Sequence, residues 1–142
     1  MIDPLVRPAT ADDAAELALL EGEAREALAD HRGGARWLAD HPAGAWADEG
    51  AIVYVAHIDD VIVGYIVATV DGAFARVVDV YVTAGARELG FGDELLATVT
   101  ATARAAGATT LDGEALPGDR SIKNLYERAG IKARLIVVST PL

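Results

Sequence analysis

Val77-Val78-Asp79-Val80-Tyr81-Val82, followed by Thr83 to Ala86 and then by Arg87-Glu88-Leu89-Gly90-Phe91-Gly92, is the stretch from which the fold is read. Its first six residues have the β-branched density of a buried strand, and Leu95, Leu96, Val99 and Ala103 then recur at helical spacing, which predicts a helix running to Ala106. A loop with two glycines therefore stands at a helix N-terminus. Free N–H groups and the positive end of the helix dipole make such a place an anion site, and glycine lets a ligand approach the backbone closely. The expected ligand is phosphorylated.

Spacing excludes two common phosphate loops. A dinucleotide loop needs a third glycine where this chain has Leu95, and its first glycine must directly follow the strand; here Thr83 to Leu89 intervene. A nucleotide P-loop needs Gly-Lys-Ser/Thr, which is absent. What remains is Arg-x-x-Gly-x-Gly, filled by Arg87, Gly90 and Gly92.

The 142 residues suit a single domain spanning the whole chain, long enough to bury roughly two-thirds of its unfolded surface. There is no cysteine, hence no disulfide framework or thiolate nucleophile, and three scattered histidines give no metal spacing. Without a long apolar run or a basic-then-apolar leader, neither a membrane partner nor export is expected, and the default location is cytoplasmic. A net charge of −10 argues against nucleic acid as a partner. Residues 1–100 carry 18 acids and 6 bases, while 101–142 carry 4 acids and 6 bases, so one end tolerates a polyanion while the other attracts a cation; solvated acidic helices without a message are the alternative.

Upstream, Leu5 to Ala9 reads as a short strand closed by Pro8. Thr10 with Asp13 three residues on opens a helix whose apolar positions are Ala14, Leu17, Leu20, Ala24 and Leu28. Gly33-Gly34 breaks the chain, Ala35 to His41 is a second short helix, and Pro42 to Gly50 is loop. Ile52–Ile58 and Val61–Val70 are strands joined by Asp59-Asp60, a hairpin link, with Gly64 marking a bulge or close packing. Asp71-Gly72 returns the chain into the central strand. Downstream, Gly107 ends the helix, Thr109–Ala115 is a strand running parallel to Val77–Val82, Asp119 caps a helix with Ile122, Leu125, Tyr126 and Ala129 on one face, and Ile131–Val138 is a final strand.

On these residues the chain resembles the GNAT superfamily of N-acetyltransferases, in which a Gln/Arg-x-x-Gly-x-Gly/Ala loop follows an extended strand. Asp119-x-x-Ile122-x-x-Leu125-Tyr126-x-x-x-Gly130-Ile131 is similar to that family's Asn-x-x-Ala-x-x-Leu/Phe-Tyr-x-x-x-Gly-Phe segment, and Val6 to Asp13 to its usual start. The resemblance covers nearly the whole chain. It implies an α/β (α+β) domain: a mixed, mostly antiparallel central sheet with helices on both faces, in the order β-α-α-β-β-β-α-β-α-β. Departures are Glu88 and Leu89 in the loop, Asp119 for Asn, Ile131 for Phe, and about twelve residues after Gly130 where many members have two strands. Either the sheet is short or a second subunit completes it as a homodimer.

The resemblance further implies acetyl-CoA as co-substrate, no metal, and transfer of an acetyl group to a primary amine: a small amine or polyamine, or a peptide N-terminus or lysine. Arg87, Glu88, Leu89, Gly90, Phe91 and Gly92 would take the pyrophosphate; Val80, Tyr81 and Val82 would line the thioester and supply an oxyanion donor; Asp119, Arg120 and Lys123 would flank the cofactor; Tyr126 would be the general acid. Deprotonating an alkyl-ammonium at neutral pH costs on the order of 4 kcal/mol, and Asp79, then Glu114, are the candidate bases. The alternative for Asp79 is a buried carboxylate satisfied by backbone donors or Arg76, and for Tyr126 a core aromatic. Glu23, Glu26, Trp37 and Trp46 are candidate acceptor contacts, against the plainer reading as surface charge or core aromatics. A non-catalytic acyl-CoA-binding sensor or assembly module is the competing function.

Overall fold

β-Branched density from Ile52 to Val82 builds the centre of the molecule. A computed structural model describes residues 5–142. β2 (Ile52–Ile58), β3 (Val61–Asp71) and β4 (Phe74–Val82) form an antiparallel meander; β1 (Leu5–Pro8) pairs antiparallel with β2, and β5 (Thr110–Asp112) pairs parallel with β4. The sheet order is β1-β2-β3-β4-β5. Between β4 and β5 the chain crosses through α3 (Phe91–Ala105), the helical connection that parallel pairing demands.

Two apolar clusters lie on opposite faces of the sheet. α1 (Ala14–Leu28) places Leu17 and Ala24 against Val55, Tyr65, Val67 and Tyr81, while α3 and α4 (Arg120–Arg128) place Phe91, Leu95, Leu96, Val99 and Leu125 against Ala56, Ile66, Ala68 and Val77. Period-two alternation along β3 therefore feeds both cores. Each fully buried large side chain, Phe91 and Leu95 among them, contributes roughly 1.5–3 kcal/mol of transfer free energy. α2 (Gly34–Asp40) leans on α1 and is tied there by Arg25, whose guanidinium donates to the carbonyls of His41 (2.7 Å) and Leu38 (3.1 Å) at its C-terminal end.

The helix start at Thr10 and Asp13 takes the expected form, with a short 3₁₀ turn before α1. The Asp13 carboxylate accepts from the Thr10 N–H (2.7 Å) and, through both oxygens, from Arg7 (2.8 and 2.9 Å). Asp59, at φ +53°, closes the hairpin with Asp60. Gly64 is a close approach: a Cβ there would stand 2.9 Å from the Tyr81 carbonyl oxygen.

Two expectations fail at the far edge. β5 stops at Asp112 rather than Ala115, so Glu114 lies beyond it, and residues 131–138 pair with no strand. Register explains the first: Val67 faces Asp79 and Ala68 faces Val77, so Val78 is a bulge in β4, and the ladder to β5 ends at Arg76 and Asp112, just before it. A bulge bends and twists its strand, which carries β4 away from a straight parallel neighbour. With β5 so short, the 131–138 segment has little ladder to join in its own chain.

Candidate active site

Where β4 diverges from β5 a cleft of ≈ 360 Å³ opens. Val77 to Val82 form its floor. Leu28, His31, Trp37 and His41 of the α1–α2 region also line it, as do Glu114 to Leu116, Asp119 to Ile122 and Tyr126. Arg87, at the start of the glycine loop, lines it too.

Asp79 faces this cleft from the bulged region of β4. Burial pushes its carboxyl above the ordinary 3.8, more than the hydrogen bond from the Tyr65 hydroxyl (2.7 Å) and the nearby Val80 N–H pull it down; the Glu21 carboxylate also raises it and Arg25 lowers it. Tyr65 is itself fully buried, and its hydroxyl is pushed far up, so it stays a donor. Across the cleft the Tyr126 phenol is also raised well above 10, chiefly by burial and then by the charges of Asp79 and Glu114. Its hydroxyl lies so close to Gly113 that any Cβ there would overlap it. The cleft thus holds a carboxyl and a phenol that burial raises above their ordinary values.

The glycine loop, expected to take an anion, opens directly into α3. Gly90 is left-handed (φ +90°) and starts α3, whose first backbone bond is Glu94 N–H to the Gly90 carbonyl (3.0 Å). Among the described residues, no backbone carbonyl accepts from the N–H groups of Glu88 to Gly92, as the first turn of a helix requires. Glu88 also takes a left-handed φ of +66°, a strain of about 1 kcal/mol for a non-glycine residue. Arg87 folds back: its Nε donates to the Val82 carbonyl (3.0 Å) and its guanidinium lies 5.6 Å over the Tyr81 ring.

Other predicted site residues divide. Trp37 lines the cleft, stacked on His41 at 4.2 Å. Glu23 does not line it; its carboxylate accepts from the Tyr81 hydroxyl (2.8 Å). Glu26 is exposed on α1 outside the cleft. Trp46 packs away from it and donates to the buried Glu21 carboxylate (3.1 Å). Asp119 caps α4 by accepting from the Ile122 N–H (3.2 Å), and Lys123 reaches the Pro117 carbonyl (3.2 Å). Glu114 is half-exposed and pairs with Arg76 at 3.5 Å. Sequence reasoning missed Tyr65, His31 and His41. Tyr65 was within reach of it: Tyr65 stands diagonal to Asp79 across the β3–β4 ladder, so working out that register would have paired them. The histidines lie in the α1–α2 turn and at the end of α2, where no periodicity points inward.

Among the described residues there is no group of three His, Asp or Glu placed to hold a metal ion, and no helix long and apolar enough to cross a membrane. A family model described as an acetyltransferase (GNAT) domain matches residues 49–131. No curated protein matches this sequence. Solved structures share the fold at low identity. A tetramutant of a Bacillus halodurans protein superposes with TM-score 0.79 at 20% identity, covering 97% of this chain and 99% of that one. A ribosomal-protein-alanine N-acetyltransferase from Brucella melitensis biovar Abortus gives 0.73 at 20%, covering 99% and 100%. An aminoglycoside N-acetyltransferase in complex with CoA gives 0.71 at 13%, covering 97% and 100%.

Proposed function

Because the chain belongs to the GNAT acetyltransferase family, we propose that residues 1–142 act as one N-acetyltransferase domain, moving an acetyl group from acetyl-CoA to a primary amine by direct attack. One observation carries the reading: Asp79 and Tyr126 line one cleft, which Arg87 reaches from the start of a loop whose amides, Glu88 to Gly92, donate to no backbone carbonyl. The residues present fit an acyl-CoA. Amides of Glu88 to Gly92 suit a diphosphate, and the β4 edge from Val77 to Val82, unpaired on its β5 side, offers backbone groups to an amide-bearing chain.

In this reading Asp79 takes the proton of the incoming ammonium, directly or through water. Its raised pKa makes it a stronger base than a solvated carboxylate while Tyr65 fixes its orientation. A backbone N–H between Val80 and Val82 stabilises charge on the acyl oxygen. Tyr126 serves the departing sulfur. Since burial lifts the phenol further above a thiol's ~8.5, its service is a hydrogen bond, full transfer being uphill. Glu114, paired with Arg76 at the rim, offers a carboxylate that an incoming cation can share. The carboxylates at the cleft and the half-buried Trp37 favour a cationic acceptor: a small amine, a polyamine, or the amine of a peptide.

The competing reading is an acyl-CoA-binding module without transfer, favoured by the strained Glu88 carboxylate in the loop. Following free CoA release with acetyl-CoA and a panel of small amines, polyamines and peptides separates the two. Release with at least one amine supports catalysis; acetyl-CoA binding without release across the panel overturns it.

A further inference from the structure

Arg87 leaves the start of the glycine loop and lies back along β4, where contacts in series hold its side chain. Its Nε donates to the Val82 carbonyl (3.0 Å), its guanidinium stands 5.6 Å over the Tyr81 ring, and the Tyr81 hydroxyl donates to the Glu23 carboxylate of α1 (2.8 Å). Register fixes which edge of β4 is involved. The Thr83 N–H donates to the Val63 carbonyl, so Thr83 with Val63 and Tyr81 with Tyr65 are the hydrogen-bonded pairs, and the polar backbone groups of Val82 between them point away from β3. On that side the ladder to β5 ends at Arg76, so the Val82 carbonyl belongs to the open edge. Val82 also lies near the first turn of α3, since a Cβ on Gly92 would stand 3.8 Å from its Cγ2. Among the described residues no carboxylate forms an ion pair with Arg87. We propose, on the premise that the cleft takes an acyl-CoA, that Tyr81 and Glu23 are positioning residues for that cofactor: Glu23 fixes the Tyr81 hydroxyl, the ring seats the guanidinium, and Arg87 so placed meets the diphosphate.

Each link has a physical reason. An arginine side chain surrenders rotamer freedom when it grips a phosphate, and one already seated surrenders less, so holding Arg87 in advance tightens binding. A guanidinium within about 6 Å of an aromatic face is attracted to it, and the bond to Val82 fixes its approach. The ring seats a cation only while it is itself held. Burial, then Glu23, raises the Tyr81 phenol above its ordinary 10, so the hydroxyl remains a donor at neutral pH. Glu23 lies outside the cleft on the exposed face of α1, so its influence on a ligand there passes through Tyr81.

Titration calorimetry of acetyl-CoA into the full chain measures the effect. Tyr81→Phe and Glu23→Ala remove opposite ends of one hydrogen bond, and each is expected to raise Kd about threefold. Glu23→Gln, which still accepts from the hydroxyl, is expected to stay within about 1.5-fold of wild type. Arg87→Ala is expected to raise Kd about tenfold, and adding Glu23→Ala to it to change nothing further, which a general loosening of the fold would not reproduce. An unchanged Kd in Glu23→Ala, an equal loss in Glu23→Gln, or additive losses in the double variant overturns the proposal and leaves the acyl-CoA reading standing. A wild-type chain that binds no acetyl-CoA overturns both.

Discussion

Asp13, in the corner where β1 meets α1, and Asp79, in the bulged region of β4, are both drawn out of bulk water, yet their carboxyls move in opposite directions. Arg7 grips Asp13 with two hydrogen bonds and holds it down at about 2, with the Thr10 N–H adding to the effect. Asp79 meets a neutral hydroxyl, with no cation in hydrogen-bond contact, and burial wins. The difference teaches that the partner decides what a withdrawn carboxylate is for. A guanidinium turns it into a fastener; a phenol leaves it hungry for a proton.

The contrast breaks most visibly under Asp79→Asn. Loss of the base is expected to cut kcat/KM with any accepted amine by about 100-fold or more and to remove the acidic limb of the pH–rate profile, measured by CoA release. The same exchange at Asp13 is expected to leave kcat/KM within about threefold and to cost about 1–2 kcal/mol of stability by removing the carboxylate that Arg7 and the Thr10 N–H grip, read from urea unfolding. Stability itself should separate the two residues by sign. A folded-state pKa of about 2 against an ordinary 3.8 means that Asp13 stabilises the fold above pH 4 and loses that contribution as pH falls from 4 towards 2, about 1–2 kcal/mol after allowance for the exposed Arg7. Asp79 is raised, so stability is lost as pH climbs from the ordinary 3.8 through its folded pKa, and the full cost is present above that. Asp79→Asn is therefore expected to raise Tm at pH 7 where Asp13→Asn lowers it.

Smaller effects sharpen the cleft side. Gly113→Ala pushes a methyl into the Tyr126 hydroxyl, so it and Tyr126→Phe are expected to lower kcat by similar factors, about tenfold, with acetyl-CoA binding retained. Unchanged turnover in Tyr126→Phe removes the phenol from the mechanism. Glu114→Gln is the smallest, within about 0.5 kcal/mol of wild type in stability because its pair with Arg76 is solvent-exposed, and it is expected to raise acceptor KM only at low salt.

Much of this was legible in the residues. Ile52–Ile58 was bounded correctly from β-branched density, the Thr10–Asp13 box from its spacing, and the glycine loop from its place between a strand and an amphipathic helix, because each depends on neighbours within a few positions. The last strand was misread for the same reason: Leu135 to Val138 has strand composition, but composition cannot supply the partner that a ladder needs. Trp46 and Glu23 were named for their chemistry, and their partners, Glu21 and Tyr81, come from elements far along the chain.

By itself, then, the sequence determined most of the strands and helices, where the glycine loop falls, and that Asp79 and Tyr126 carry chemistry worth testing. Only the tertiary structure decided that they share a cleft. The bulge at Val78 and the short β5 separate a pair of strands that local propensity would have zipped together, and the register that puts Tyr65 on Asp79 and Gly113 under Tyr126 is a long-range fact. Propensity acts over neighbouring residues, whereas burial, and the pKa shifts it causes, depend on which distant surfaces close over a group.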